Sequence, residues 1–134
     1  MRRAFFYANE GLFEGLSEGL KSVMDYYLYP MKPIFPATYS TLCPTALSSL
    51  ISEKYEVGTV QCKFLLRGVG DTYLVESSDN RFIFRVYRSS HRSLPQIKEE
   101  VDLLLALKQA GVSVSYPIPD ISGEAIQQIE AVEG

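Results

Sequence analysis

Arg81-Phe82-Ile83-Phe84-Arg85-Val86-Tyr87-Arg88 alternates Phe82, Phe84 and Val86 against Ile83, Arg85 and Tyr87, the period of two that marks a β-strand with two different faces. Upstream lie two more β-rich runs, Val60 to Leu66 and Thr72-Tyr73-Leu74-Val75-Glu76, joined by the turn cluster Gly68-Val69-Gly70-Asp71. Ser78-Asp79-Asn80 supplies a hairpin turn into the Arg81 run, so three antiparallel strands follow one another. Downstream, Ser89 to Leu94 is a polar loop, and Pro95 stands where a first helical turn tolerates it. The helix it opens runs to Ala110 and stops at Gly111. Pro117 and Pro119 bar any further helix, and Ala125 to Val132 reads as a last strand. The expected fold class is α+β, an antiparallel sheet of about four to five strands with one long helix packed on one face.

The rest of the chain bounds the function class. Its 134 residues, 46% hydrophobic, 12% aromatic and 22% charged, suit one globular domain or one lobe of something larger and exclude disorder or collagen-like order. A net charge of -3 gives no global drive toward nucleic acid. Cys43 and Cys62 show no metal-ligand spacing, so no metal site is expected and the thiols read as free in a reducing cytoplasm. The apolar run from Met1 to Ala8 is too short for a signal segment and is followed at once by Asn9 and Glu10, so no secreted or membrane-spanning chain is expected.

Residues 1–40 read as an N-terminal extension and linker. Glu-Gly-Leu recurs at Glu10, Glu14 and Glu18, which would put Leu12, Leu16, Leu20 and Met24 on one stripe. Each interior glycine costs a helix about 1 kcal/mol relative to alanine, so this helix is marginal. Pro30, Pro33 and Pro36 punctuate an extended linker, and the compact lobe is expected over 41–134. Thr41 and Thr45 are candidate caps for a short helix through Ala46-Leu47-Ser48-Ser49-Leu50-Ile51, ending near Lys54.

Projected at about 100° per residue, the Pro95–Ala110 helix gathers Lys98, Glu99, Asp102 and Gln109 on one side. Ile97, Val101, Leu103, Leu104, Leu105 and Leu107 spread over the remainder, and Glu100 falls inside that apolar arc. A carboxylate there needs a cation or a gap to solvent. Arg85, on the preceding strand and on the face of Ile83 and Tyr87, is the best partner. An ordinary structural ion pair is the alternative. Gly68-x-Gly70 is a second clue, because amides in a glycine turn can approach phosphate oxygens with no Cβ in the way. An ordinary hairpin turn is its alternative, since Tyr73 stands where a third glycine would complete Gly-x-Gly-x-x-Gly. Arg85, Arg88, Arg92 and Lys98, interleaved with Tyr87, form a basic stretch that would attract phosphate-bearing ligands or simply be solvated. His91 reads as a solvated loop histidine.

The order of strand, glycine turn, strand, cation-bearing strand and glutamate-bearing helix resembles the N-terminal lobe of protein-kinase-like folds. More narrowly, Arg67 to Glu76, Arg81 to Arg88, Ile97 to Leu107 and Gly111 to Pro119 resemble the aminoglycoside phosphotransferase family, whose members phosphorylate hydroxyl groups on small molecules. The resemblance covers roughly Thr41 onward. It implies that Gly68 and Gly70 belong to the loop over ATP phosphates, that Arg85 occupies the nucleotide-binding cation position and that Glu100 orients it. Arg85 replaces the usual lysine, and Asp71, where relatives often have asparagine, would place a negative charge near the phosphate path. The resemblance also implies that ATP and Mg2+ serve a full two-lobe protein. The catalytic residues would come from a helical C-terminal lobe that is absent from this chain, which stops at Gly134. No residue here is then catalytic by itself.

Three readings of function follow. The first is the ATP-binding lobe of a small-molecule hydroxyl kinase, not catalytic alone. The second is a stand-alone α+β interaction or self-association module without nucleotide chemistry. A binder of phosphate ligands at the Gly68–Gly70 turn is a third. Expected partners are a missing C-terminal lobe, a partner chain, or a second copy in a homodimer, because a lobe without its neighbour exposes apolar surface.

Overall fold

The computed structural model describes residues 1–8, 35, 37–38 and 41–132. Its elements are β1 (Arg2–Ala8), β2 (Ala37–Thr38), β3 (Thr41–Leu42), α1 (Pro44–Lys54), β4 (Gln61–Arg67), β5 (Asp71–Glu76), β6 (Arg81–Arg88), α2 (Leu94–Gln109), β7 (Tyr116–Pro117) and β8 (Ile126–Ile129). The main sheet runs β4-β5-β6-β1-β7, with β8 also on β1, and all of its pairings are antiparallel. β7 pairs with Tyr7 and Ala8 while β8 pairs with Arg2 to Phe5, so the two short strands share one position and the sheet is five positions across. The α+β class and the antiparallel sheet with a long packed helix are therefore as the sequence predicts.

The alternation along β6 separates two cores. Phe84 and Val86 join Ala4, Phe6, Tyr73 and Val75 under Leu47 and Ile51 of α1. Tyr87 turns to the other face and joins Phe5 with Ile97 and Val101 of α2. One helix thus covers each face, because successive side chains of a strand point to opposite sides.

Three local expectations are corrected. Arg2–Ala8 lay within the segment read as an extension. It is instead the strand between β6 and the β7/β8 position, pairing residue by residue from Arg2↔Arg88 to Ala8↔Phe82. The alternation that buries Arg2, Ala4 and Phe6 on one face and Phe5 on the other suits a strand covered on both sides. The marginal helix through Leu12, Leu16, Leu20 and Met24 lies outside the described residues. α1 is capped not by Thr41 or Thr45 but starts after Cys43, which makes no side-chain cap. Pro44 at the first helical turn needs no capping partner for an N–H it lacks. Finally, the broad apolar arc of α2 is only partly covered, with Ile97 and Val101 buried and Leu103 exposed.

α2 has firm ends. The Ser93 hydroxyl accepts from the Gln96 amide while the Gln96 side chain accepts from the Ser93 amide, a reciprocal capping box that satisfies two otherwise orphaned donors. Gly111 follows at φ 80°, the left-handed stop that glycine adopts without penalty.

Candidate functional site

The site is assembled on the α2 face of the sheet from β6, the β6–α2 loop and α2. Arg85 lies opposite Thr72 and points to the same side as Tyr87. One turn and a half into α2, Glu100 turns back toward it. Arg85 Nη1 stands 3.6 Å from Glu100 Oε1, with 42% and 24% of the side chains exposed. The pairing expected from the alternation of β6 and the apolar arc of α2 is therefore present. Two participants had not been expected on this carboxylate. Arg92 Nη1 is 3.7 Å from Glu100 Oε2, and the Tyr87 hydroxyl stands 3.4 Å from both carboxylate oxygens and donates to them.

Tyr87 is the centre of the cluster. The guanidinium carbons of Arg85 and Arg92 lie 5.8 and 5.6 Å from its ring centroid, within the range of cation–π attraction. Burial raises its phenol above the ordinary tyrosine range, the neighbouring arginines oppose that rise, and Glu100 adds to it. The hydroxyl therefore keeps its proton and remains a donor at neutral pH.

The glycine turn meets the same ring. Gly70 faces Tyr87 across the β5–β6 hairpin, and a Cβ added there would fall 2.7 Å from the Val86 carbonyl oxygen and 2.9 Å from Tyr87 Cδ1. An aromatic ring packed over a cross-strand glycine leaves no room for a side chain. Gly68 differs: a Cβ there would meet nothing within 4 Å, and its amide donates to the Gly70 carbonyl at 3.0 Å. The turn is thus closed by its own hydrogen bond, with open space beside Gly68.

Asp71 does not face this side. It lies opposite Val86, on the α1 face, with its side chain 4% exposed. Its carboxylate pairs with the fully buried Arg2 at 3.8 Å and with Arg67 at 2.8 Å. The expected negative charge at the phosphate path is accordingly neutralised and turned under the sheet. Of the basic stretch, Arg85 and Arg92 reach Glu100, Arg88 ends β6 opposite Arg2 and Lys98 is exposed on α2, while His91, read separately as a loop histidine, is exposed in the loop. The role of Arg92 has no signal in a periodicity, because it resides in a loop whose path is set by turn hydrogen bonds.

Among the described residues, no group of three or more His, Cys, Asp or Glu side chains could hold a metal ion. No helix among them is long and apolar enough to cross a membrane. The half-exposed guanidinium of Arg85 and the open side of the Gly68–Gly70 turn are of a type that takes phosphate oxygens.

Comparison with known proteins gives two kinds of match. The family model described as the phosphotransferase enzyme family matches residues 61–132, from β4 past β8. An uncharacterized protein of Deinococcus radiodurans is 40% identical over 100 residues, covering 75% of this chain and 29% of that protein. An uncharacterized protein of Synechocystis sp. is 36% identical over 101 residues, covering 75% of this chain and 28% of that protein. The chain thus spans less than a third of the length of these relatives. No solved structure matches it.

Proposed function

The chain belongs to the phosphotransferase enzyme family, and we propose that it is the ATP-binding lobe of a kinase acting on small-molecule hydroxyl groups. In this proposal Arg85 binds a nucleotide phosphate, Glu100 orients Arg85, and the Gly68–Gly70 turn lies along the phosphates. The acceptor pocket and the catalytic groups belong to a second lobe. The observation that carries the proposal is the convergence on Tyr87. The glycine turn packs on its ring, Arg85 stacks on it and Glu100 accepts from its hydroxyl. Three features on three successive elements thereby face one place.

An arginine at the cation position suits this chemistry. Its planar group carries five donors, so one edge can meet Glu100 while another meets a phosphate oxygen. Calorimetric titration of the chain with Mg·ATP tests the proposal. Binding that weakens about tenfold or more in Arg85→Gln, the worth of a charge-assisted hydrogen bond, would support it. Absence of binding into the millimolar range would overturn it.

A second proposal, a self-association module, is favoured by one observation. The edge strand β4 exposes Phe64, Leu65 and Leu66, and Val69 is exposed in the adjoining turn, a run of apolar side chains beside unpaired strand edge. Here the partner is a second copy or the second lobe. Light scattering distinguishes the two functions, since a chain that is dimeric and indifferent to Mg·ATP fits only the module.

A further inference from the structure

The proposed function uses Arg85 and Glu100 and leaves Arg92 without a task, yet the Arg92 backbone is tied on both sides. Its amide donates to the Arg88 carbonyl at 3.1 Å, and its own carbonyl accepts from Arg3 Nη1 at 3.4 Å. The next residue, Ser93, is the N-cap of α2. The loop thus fixes the Arg92 backbone from both sides and brings its head group, 37% exposed, to 3.7 Å from one carboxylate oxygen. The carboxylate itself is divided: Arg85 approaches Oε1, Arg92 approaches Oε2, and the Tyr87 hydroxyl reaches both.

Resting on the proposed nucleotide binding, we infer that Arg92 is a positioning residue that retains Glu100 when Arg85 turns toward a nucleotide phosphate. Glu100 is only 24% exposed, so a carboxylate that lost a cation there would be left less well compensated, and that cost would resist the release of Arg85. With Arg92 on the second oxygen, Arg85 can give up part of its contact while Glu100 stays ionised, paired and aimed. Tyr87 keeps the geometry, because its hydroxyl is bonded to the carboxylate and its ring carries both guanidinium groups. Arg92 touches no reacting group in this scheme. It acts through Glu100.

The test is a mutant cycle on the chain: wild type, R92Q, R92K, E100Q and E100Q/R92Q, each titrated with Mg·ATP by calorimetry. The expected result is that R92Q weakens binding about two- to fivefold, the range of a partly exposed ion pair. R92K should recover most of that loss, and R92Q should change nothing measurable in the E100Q background. An equal loss in both backgrounds would mean that Arg92 acts on the ligand directly or as bulk charge, which overturns the inference while leaving nucleotide binding intact. A wild-type chain that binds no Mg·ATP overturns the proposed function instead. The sharing of Glu100 is then decided by urea unfolding of R85Q, R92Q and R85Q/R92Q. Losses that exceed the sum of the single variants support two cations backing one carboxylate, and simple additivity overturns it.

Discussion

Gly70 and Tyr87 face each other across the β5–β6 hairpin so closely that a methyl group on Gly70 would sit 2.9 Å from the tyrosine ring and 2.7 Å from the Val86 carbonyl. The glycine is therefore required by packing before any ligand is considered. Gly70→Ala should destabilise the chain by about 1–3 kcal/mol, the cost of forcing a group into a filled space. Gly68→Ala, with open space around it, should change stability by no more than about 0.5 kcal/mol. Urea unfolding of the two variants checks this, and equal effects would contradict it.

Arg2 and Asp71 are a buried pair at the other face of the same turn. Asp71→Asn would weaken the pairing of Arg2, which is fully buried, and should cost about 3 kcal/mol, as loss of one charge of a buried pair does. Arg67→Gln removes a partner that is 43% exposed and should cost less than about 1 kcal/mol. Comparable losses in the two variants would contradict the greater weight given to the buried pair.

Deletion of residues 1–8 should abolish cooperative thermal unfolding. It takes away the strand that pairs with β6, β7 and β8 together, and with it Ala4, Phe5 and Phe6, all fully buried. A sheet opened at its middle exposes edges on both fragments. A truncated chain that melted as sharply as the intact one would contradict the central placement of β1.

How much of this could be foreseen from the residues alone depends on distance along the chain. The β4-β5-β6 meander and α2 were predictable because turn residues and periodicity are local signals. The pairing of Arg85 with Glu100 was predictable because strand alternation fixes one side chain and a carboxylate in an apolar arc calls for the other. β1 was missed for the opposite reason. Its pairing with β6 spans most of the chain, and alternation within Arg2 to Ala8 states which faces are apolar but not which strand lies alongside. The inward turn of Asp71 was missed because its fully buried partner, Arg2, belongs to that same unforeseen strand.

Alkaline stability follows from burial. Burial, with Asp71 nearby, pushes the Tyr73 phenol up to about 12 from 10.0, and burial against a weaker opposing hydrogen bond from Ser48 pushes the Cys62 thiol up to about 12 from 9.0. Tyr55 is raised further in the same direction by burial. A raised folded-state value means that the native chain holds protons the unfolded chain has released. Stability is therefore undiminished below the unfolded values and falls as pH rises from about 9 toward 12. Urea midpoints measured at increasing pH should drop steeply over that window, and Cys62 should resist thiol reagents until the chain unfolds. A flat profile across the same window would contradict these burials.

The convergence of turn, cation and carboxylate on Tyr87 is tested most directly by a residue-resolved NMR titration of the chain with Mg·ATP. The account predicts saturable shifts at the Val69 and Gly70 amides, at the Arg85 side-chain Nε–H and at Tyr87, with little change at the distant Lys63–Glu76 pair. Shifts that avoided Arg85 and Tyr87, or that gathered on the exposed apolar residues Phe64, Leu65 and Leu66 instead, would contradict it.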